Sequence, residues 1–574
     1  MNEADETDTI DEGKRLIRQG GDRGLSLSDR VAERFRRLTW RTPIHALRLR
    51  GRHPLKLIAV PDDPVPGDRR RGQALLEGRV DLRGESVDLE TLDFTRPTWS
   101  RPMGDHLQSF AWLRDLAAAC NRARGAPVAE YIMRHWLAAH AETISEPAWR
   151  AELWGRRILH WTAHAPLILS SADLIYRSSV LNALARGARH VERGAEKAPA
   201  GVARIAAWCG VIAAGLLIPG GDSRRAAGEA GLGRAIDSGV YEDGGVIARA
   251  PLAQVEVIQL LTMLRDVYAA RRLGPPAAAA AALGRMVPAL QGICHGDHGL
   301  SSWQGGGPIS GTKIDAIVAA TGVRARPLRQ SRDWGYQRLS FGQVVVVVDA
   351  APPPMSRLAE GGCASTLAFE MSDGAERLIV NCGGARASIV QVPPALADGL
   401  RTTAAHSTLI VGDSNSTAIH ADGTLGRGVA EVELARQESA AAARIEASHD
   451  GYARRFGFLH RRQLVLAGDG RELRGDDMLL PAGRRRRGGR TPFVIRFHLG
   501  SGVGAAPTAD GMAALLRLAS GRLWQFRCRG GALTIEESLW VDLDGRPVPT
   551  QQLVIAAEAP AGGESIGWSL KRIA

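Results

Sequence analysis

Hydrophobic positions recur at helical spacing through the first half of the chain. Leu107, Phe110 and Leu113 follow one another at intervals of three residues, and the run from Val257 to Tyr268 repeats the pattern. Helix follows helix with short breaks and no strand-like alternation between them. We therefore predict an all-helical layer from about residue 106 to residue 320.

The hydrophobic period changes to two from about residue 335. Short runs rich in β-branched and aromatic residues, such as Val344–Val348 and Phe493–Leu499, alternate with turn sequences. Many short strands at this spacing are typical of an antiparallel sandwich or barrel. We therefore predict a basic, disordered lead over residues 1–45, a helical domain over residues 46–328 and a β domain over residues 329–574.

The composition adds a strong positive charge that is carried almost wholly by arginine. Of the 73 basic residues only five are lysines, and with 61 acidic residues the chain carries a formal net charge of +12. The arginine fork suits carboxylate, sulfate or phosphate, which favours a polyanion as partner: nucleic acid, an anionic polysaccharide or a membrane surface. A compositional bias toward arginine, alanine and glycine, with solvated charged faces, explains the same numbers equally well.

Cysteine content and hydropathy argue against a disulfide-stabilised domain and against a membrane-spanning protein. The six cysteines contain no C-x-x-C pair and are too sparse for a disulfide framework. The acidic N-terminus shows no secretory signal, and the longest apolar stretch, around Trp208 to Ile218, is about half a membrane span. We therefore expect no membrane span and, by default, a cytoplasmic protein.

The first candidate for chemistry is the string from Trp154 to Trp161. On a helix, Arg157 lies three residues before His160 and four before Trp161, which predicts that the three side chains share one face. A guanidinium, an imidazole and an indole together suit a sugar acid, because arginine can hold the carboxylate while the indole stacks on the pyranose. An ordinary helix with two core tryptophans is the equal alternative.

Other candidates lie in loops and strands further along the chain. A Gly-flanked loop carries His295 and Asp297, which either line a cleft or bind a metal, although two ligand-type residues are a weak metal signal. His406, Tyr452 and His460 fall at or beside predicted strands and are candidate proton donors or acceptors. Buried histidines satisfied by backbone groups are the alternative.

Taken together, these strings resemble the heparinase II/III-like polysaccharide lyase family over roughly residues 100–570. In the helical half, Arg157-Ile-Leu-His-Trp161 is similar to the family's R-I-x-N-W string. The strings of the second half are Tyr336-Gln-Arg-Leu, Val348-Asp-Ala, Leu367-Ala-Phe-Glu-Met371, Leu378-Ile-Val-Asn-Cys-Gly383, Ala405-His-Ser-Thr-Leu409, His449-Asp-Gly-Tyr452 and His460-Arg-Arg462. The resemblance implies an incomplete α/α toroid followed by an antiparallel β-sandwich, with a cleft between them.

The resemblance also implies an activity. Family members cleave uronic-acid polysaccharides by β-elimination, in which a base removes the C5 proton beside the carboxylate and the 4-O glycosidic bond leaves. Such a site must neutralise the carboxylate and supply a tyrosine or histidine as base. The expected catalytic residues are His406, Tyr452 and His460. The expected substrate-binding residues are Arg157, His160, Trp161, His295 and Asp297.

The sequence departs from the family pattern at most of the catalytic and zinc positions. Val202-Ala203 stands where the family has an Asn-His pair, Gly361-Gly-Cys-Ala-Ser365 replaces an H-x-H-x-D string, and Asn381-Cys-Gly383 replaces an Asp-x-Gly. Because only His406 is clearly retained, we expect no zinc and no other cofactor. Two interpretations stay open: a divergent lyase that uses other residues, or a protein that binds an anionic glycan and no longer cleaves it.

A nucleic-acid-binding protein is the third and less favoured interpretation. It rests on the arginines of residues 31–53 and on the Arg484–Arg487 run, which no aromatic RNA-binding string accompanies. We therefore expect an anionic polysaccharide as partner and no nucleic acid. By resemblance, the expected location is the cell envelope or periplasm, with the cytoplasm as the alternative, and related lyases suggest a homodimer.

Overall fold

The computed structural model describes residues 10, 12–19, 47, 49, 51, 56–355, 358, 361–483 and 489–573. The arginines of the basic segment 31–53 and of the Arg484–Arg487 run lie outside these residues, so the sequence features behind the nucleic-acid interpretation have no structural counterpart to compare.

Helices dominate the described residues up to position 321. The first strand, β1 (Lys14–Arg18), comes before the helices in sequence. The chain then forms α1 (Arg69–Leu76) and a hairpin of β2 (Arg79–Leu82) and β3 (Glu85–Asp88). The helices that follow are α2 (Arg101–Ser109), α3 (Trp112–Ala119), α4 (Arg122–His140), α5 (Ala151–Ala163), α6 (Ala165–Ile168), α7 (Leu174–Gly194), α8 (Val202–Leu217), α9 (Asp222–Gly239), α10 (Pro251–Ala270), α11 (Ala277–Gly292) and α12 (Gly311–Thr321).

Local sequence explains where several of these helices begin. Asp68, Ser100 and Asp173 precede α1, α2 and α7, and each side chain accepts hydrogen bonds from backbone amides of the first turn. The apolar stretch of the sequence analysis becomes α8, which is buried on nearly every side and packs against α5, α7, α9 and α10. Among the described residues, no helix is long and apolar enough to span a membrane.

Antiparallel strands make up most of the remaining chain. They are β4 (Tyr336–Phe341), β5 (Val344–Asp349), β6 (Phe369–Asp373), β7 (Glu376–Val380), β8 (Leu409–Val411), β9 (Glu431–Glu438), β10 (Ala442–His449), β11 (Phe458–Ala467), β12 (Glu472–Pro481), β13 (Thr491–Leu499), β14 (Gly504–Pro507), β15 (Ala513–Arg517), β16 (Leu523–Arg529), β17 (Ala532–Val541), β18 (Pro547–Ala559) and β19 (Glu564–Arg572). Two short helices, α13 (Pro394–Gly399) and α14 (Ala453–Phe456), interrupt the strands.

The strands form two sheets that pack face to face. One sheet has the order β1-β9-β10-β11-β12-β19-β16-β15-β14, and the other has the order β17-β18-β13-β7-β6-β5-β4, with β8 paired to β13. Apolar side chains from both sheets, such as Phe369, Phe497 and Trp568, meet in one core. The predicted order of a helical part followed by an antiparallel sandwich is confirmed.

Strand β5 joins the two domains because it is buried on both faces. Side chains alternate along a strand, so Val345 and Val347 enter the core of the helical domain whereas Val344, Val346 and Val348 enter the core of the sandwich. A run of five valines is therefore the sequence signature of a strand with apolar layers on both sides. The sheet that contains β5 therefore packs against the helical domain with one face and against the other sheet with the other.

One segment of the predicted disordered lead is ordered. Strand β1 pairs with β9 in antiparallel register, from Lys14 opposite Ala435 to Arg18 opposite Glu431, and extends the edge of the first sheet. The expectation of a lead without structure is wrong for these residues. Five residues with two apolar side chains gave too short a pattern to be recognised, since an edge strand gains most of its stability from pairing with its neighbour.

Candidate functional site

A cleft of about 1690 Å³ lies where the helical domain meets one edge of the β domain. Helices α1, α2, α5 and α10, together with the β2–β3 hairpin, form most of its wall. Residues 386–389 and 543–545 of the β domain form a rim. Ligand pockets for drug-sized molecules typically measure about 300–1,000 Å³, so this cleft has room for several sugar units.

Arginine dominates the ionisable side chains of the cleft wall. The basic residues are Arg69, Arg70, Arg71, Arg79, Arg83, Arg101, Arg114, Arg150, Arg156, Lys313 and Arg386. The carboxylates are Asp68, Asp81, Glu85, Asp105, Glu152, Glu256 and Asp544. Among the residues that the structure describes, eleven cations against seven anions give the wall a net positive charge, which attracts anionic ligands and raises their local concentration.

Several of these arginines are held in place by carboxylates. Arg156 Nε lies 2.7 Å from Glu256 Oε1, and Arg150 forms an ion pair with Asp105. By contrast, the side chains of Arg69 and Arg70 at the start of α1 are exposed to solvent. Arg101 keeps 68% of its side-chain surface exposed although its Nε lies 4.0 Å from Asp105 Oδ2. The wall therefore contains both largely buried, paired guanidinium groups and solvent-exposed ones that a ligand can reach.

The phase of helix α5 decides which of its residues reach the cleft. Leu153, Arg156 and His160 line it, at spacings of three and four residues that place them on one face. Arg157 and Trp161 lie on the adjoining face, in the core of the helical domain. The predicted grouping of Arg157, His160 and Trp161 on one functional face is therefore not found, because His160 lies at the border of the two faces and turns toward the cleft.

Arg157 is a structural cation in the core. Its Nε and NH2 donate to the Gln108 carbonyl oxygen at 2.8 and 2.6 Å, and NH2 donates to the Ala148 carbonyl oxygen at 3.0 Å. The guanidinium carbon lies 4.3 Å from the ring centres of Trp136 and of Trp154. The side chain has no exposed surface, so it joins α5 to its neighbours and does not reach a ligand in the cleft.

Two histidines line the cleft, and both are neutral. Burial lowers the pKa of His106 and of His160, and the nearby arginines lower both further. The Nδ1 atom of His160 is buried without a hydrogen-bond partner. A neutral imidazole beside guanidinium groups can accept a proton from a ligand whose carboxylate those groups hold.

His295 and Asp297 lie together in a loop that fastens the helical domain to the sandwich. His295 Nε2 lies 3.2 Å from Glu370 Oε2, and Arg377 donates from Nε to Asp297 Oδ2 at 2.9 Å. Both residues are outside the cleft wall. Burial raises the pKa of Glu370 to about 7, although Arg377 and several hydrogen-bond donors oppose that rise.

His406 and Tyr452 lie inside the sandwich and face no open space. His406 Nδ1 lies 2.7 Å from the Thr402 carbonyl oxygen, and the Tyr452 hydroxyl donates to the Leu409 carbonyl oxygen at 2.9 Å. Both side chains are buried. Burial lowers the pKa of His406 to about 4 and raises that of Tyr452. Their predicted catalytic role stays a prediction; backbone carbonyl oxygens contact His406 Nδ1 and the Tyr452 hydroxyl.

His460 belongs to a buried network around Asp477. Its Nε2 lies 2.8 Å from Asp477 Oδ1, its Nδ1 lies 3.2 Å from His449 Nε2, and Arg462 donates to both oxygens of Asp477 at 2.8 and 3.0 Å. Trp568 Nε1 donates to the same carboxylate at 2.9 Å. The network crosses β11, β12 and β19 and stabilises the sandwich.

Of the predicted site residues, the structure therefore brings only His160 to the cleft wall. It adds the arginines of α1, α2 and the β2–β3 hairpin, which precede the helical layer predicted from about residue 106. The signal that could have found them is the density of arginine over residues 69–83 together with the spacing of Arg156 and His160. Residues four apart lie on one helix face, so the spacing of Arg156 and His160 indicates a shared face as clearly as the spacing of Arg157 and Trp161.

The residues at the family's zinc positions do not fit a metal. The Asn381 side chain donates from Nδ2 to Glu370 Oε1 at 3.0 Å and accepts from the Ser407 amide at 3.0 Å. Its amide is thus fully engaged, and the neighbouring replacements at residues 361–365 carry one thiol as their only strong metal donor.

Comparisons with known proteins identify the family of this chain. The heparinase II/III-like C-terminal domain family matches residues 323–569. FtsZ-localized protein C of Caulobacter vibrioides is 30% identical over 566 residues, 92% of each chain. The chain belongs to the heparinase II/III-like family.

Solved structures of this family share the fold of the whole chain. Heparinase III is 12% identical with a TM-score of 0.65, over 97% of this chain and 93% of that one. A mutant of the heparan sulfate lyase of Pedobacter heparinus is 13% identical with a TM-score of 0.60, over 88% of this chain and 82% of that one. The expected toroid-like helical domain and β-sandwich are confirmed.

Proposed function

We propose that the cleft binds an anionic polysaccharide that contains uronic acid. The observation that carries the proposal is the arginine-rich wall of a large cleft between the two domains of a lyase-like fold. Guanidinium groups form paired hydrogen bonds with carboxylate and sulfate, and they keep their charge at any physiological pH. The cleft volume of about 1690 Å³ suits a chain of several sugars better than a single small molecule.

The distribution of arginine in the wall supports a bound polymer. Arg69 and Arg70 lie on α1, Arg101 lies on α2, and Arg386 lies on the rim contributed by the β domain. Cations on several elements can meet successive acidic sugars along one chain. Because the contacts are ionic and partly exposed, added salt should weaken binding steeply.

The experiment is a binding titration with a panel of polymers. Fluorescently labelled heparin, heparan sulfate, alginate and a neutral glucan of similar length are titrated with the full-length protein at two salt concentrations. Binding of one or more acidic polymers, lost at high salt and absent for the neutral glucan, supports the proposal. Equal binding of the neutral glucan, or no binding of any polymer, contradicts it. Tighter binding of DNA than of every glycan would favour the nucleic-acid interpretation.

Cleavage by β-elimination is the second candidate function, and His160 is the observation that favours it. Its imidazole lines the cleft and can take the C5 proton, while the surrounding arginines stabilise the negative charge that develops beside the carboxylate. Because burial lowers the pKa of His160, the imidazole is a weak base and turnover should be slow. The 4-O leaving group takes a proton, and the sugar keeps a double bond between C4 and C5. Among the described residues, the cleft wall contains no tyrosine to supply that second proton, so water would do so.

The test for cleavage is the ultraviolet absorbance of unsaturated sugar ends. Each acidic polymer is incubated with the wild type, with His160→Ala and with His406→Ala. Product with the wild type and with His406→Ala, but none with His160→Ala, supports His160 as base. Loss of product in His406→Ala without loss of stability would instead assign the reaction to the sandwich histidine of the family pattern. Binding without product from any polymer would leave glycan binding as the function.

We propose the cell envelope as the location, because uronic-acid polymers occur there. The Caulobacter relative is named for localisation with FtsZ, so co-localisation with FtsZ is the alternative. Fractionation of cells, combined with imaging of a tagged chain beside labelled FtsZ, separates the two. Sedimentation of the purified protein tests the expected homodimer.

A further inference from the structure

Three metal-ligand side chains meet behind the cleft wall, in the helical domain. Asp63, His160 and His164 each offer one ligand atom, and these atoms all lie within 4.8 Å of one another. His160 belongs to α5, His164 ends that helix, and Asp63 comes from the segment before α1. Spacing of four residues on one helix is a common way to direct two imidazoles at one ion.

The hydrogen bonding of the cluster leaves room for a cation. His164 Nε2 lies 3.1 Å from Asp63 Oδ2, a contact that needs a proton between them. His160 Nδ1 is buried without a hydrogen-bond partner, and only 5% of that residue is exposed. A metal ion in place of the proton would bond to the carboxylate and to both imidazoles. It would also use the imidazole that otherwise has no partner.

The surroundings of the Asp63 carboxylate suit metal binding. His164 and Arg114 both contact it. Arg114 donates to both Asp63 oxygens, at 2.7 and 3.2 Å, and fixes the orientation of the carboxylate from behind.

We propose that Asp63, His160 and His164 bind one zinc-type divalent transition-metal ion beside the cleft. Two nitrogens and one oxygen from the protein are the donor set of zinc sites that keep an exchangeable water. The site lies in the helical domain and is separate from the sandwich positions that the family pattern reserves for zinc. It does not depend on whether the cleft binds a glycan, but an ion on His160 would occupy the nitrogen lone pair that β-elimination needs, so metal-loaded protein should not use His160 as base.

The neighbouring charge sets the expected strength of binding. The guanidinium of Arg114 is a second cation close to the ion and lowers its affinity, so micromolar binding is expected instead of the much tighter binding of a structural zinc site. The ion should therefore be removable by a chelator without unfolding the protein.

The experiment measures metal uptake by the full-length protein. Chelator-treated protein is dialysed against zinc, and bound metal is counted by mass spectrometry. Cobalt(II) is then titrated as a spectroscopic probe, because visible absorption bands of low-symmetry cobalt report direct ligation by the protein. The expected result is one ion per chain, with cobalt bands that zinc abolishes, and loss of both in Asp63→Asn, His160→Ala and His164→Ala.

A matched control distinguishes this site from surface histidines. His298 Nδ1 lies 3.0 Å from Asp315 Oδ2 on an exposed surface, so His298→Ala removes a histidine–carboxylate pair that lacks a third ligand. That variant should bind metal as the wild type does. Absence of bound metal in the wild type, or uptake that the three cluster variants retain, would overturn the proposal. Circular dichroism establishes that each variant is folded, and Asp63→Asn, which keeps the shape of the side chain, serves if an alanine variant is not.

Discussion

Arg156 and Glu256 form an ion pair in the cleft wall, with 2.5 Å between NH2 of the arginine and Oε1 of the glutamate. The arginine belongs to α5 and the glutamate to α10, so the pair joins two helices that border the cleft. The glutamate keeps 41% of its side-chain surface exposed, whereas the arginine keeps 17%. One of the cationic groups available to a ligand is therefore neutralised by an anion that a ligand carboxylate could replace.

Replacement of this anion should strengthen glycan binding. In Glu256→Gln the cleft loses one negative charge and Arg156 gains freedom to bind a ligand carboxylate, so we expect several-fold tighter binding of heparin at low salt. A gain of about 1 kcal/mol corresponds to roughly five-fold in affinity. Glu472→Gln is the control, because this substitution changes the net charge by the same amount. Glu472 pairs with Arg474 at 2.7 Å on the first sheet, outside the cleft wall. Equal gains in both variants would mean that net charge alone governs binding.

Arg157→Met should reduce stability and leave binding intact. The variant leaves the carbonyl oxygens of Gln108 and Ala148 without their buried donors, at a cost of roughly 2 kcal/mol or more. For a domain of this size, that corresponds to a fall in Tm of about 4–8 °C. Calorimetry measures the change, and titration with heparin below the transition tests binding. Loss of binding at an unchanged Tm would restore Arg157 as a ligand for the substrate carboxylate.

The substitution Asp477→Asn should destabilise the sandwich far more than the substitution Asp476→Asn. Asp477 accepts hydrogen bonds from Arg462 and Trp568, and its pKa lies well below the usual range because Arg462 and His460 outweigh the burial that would raise it. Removal of the charge leaves Arg462 buried without a counter-ion, at a cost of about 3–5 kcal/mol. Urea unfolding measures this cost. Asp476→Asn, one residue away and partly exposed, should cost less than about 0.5 kcal/mol. Similar losses in both would show that the network is not stabilising.

Glu370 should make the stability of the chain fall as the pH rises toward neutrality. Burial raises the pKa of Glu370 from 4.5 to about 7, so the folded protein holds a proton that the unfolded chain has already released between those values. Across that interval the unfolding free energy declines with pH. Glu370→Gln carries no titrating group, so the wild type should lose stability relative to this variant from about pH 4.5 to about pH 7 and run parallel to it above. A constant difference across the range would show that Glu370 titrates normally.

The architecture could be predicted because its signals extend over many residues. Helical spacing in the first half and a period of two in the second half each recur many times, and the five valines of β5 mark the strand between two cores. Strand β1 could not be predicted, because its pairing with β9 joins residues more than 400 positions apart and leaves little local pattern.

The site was harder to predict because it depends on the rotation of single helices. A shift of one residue along α5 exchanges Arg157, which is in the core, for Arg156, which is in the cleft. Both positions have aromatic and basic neighbours in the sequence, so composition does not separate them. His406, Tyr452 and His460 were suggested by family strings, and in the structure they are held by backbone groups or by Asp477 within the sandwich.

One comparison of affinities tests most directly whether the arginine-lined cleft binds anions. Three exposed cleft arginines are replaced together in Arg69→Gln, Arg70→Gln, Arg101→Gln, and three exposed arginines of the first sheet are replaced together in Arg444→Gln, Arg461→Gln, Arg474→Gln. Each variant loses the same charge. The measurement is the Kd for the acidic polymer that binds the wild type, at low and at moderate salt.

The cleft variant should bind about ten-fold more weakly or worse, since three lost contacts of roughly 0.5–1 kcal/mol each amount to at least that factor. Its affinity should also depend less on salt. The sheet variant should bind within about two-fold of the wild type. Equal losses in the two variants, or a cleft variant that binds as the wild type does, would contradict binding of the polysaccharide in this cleft.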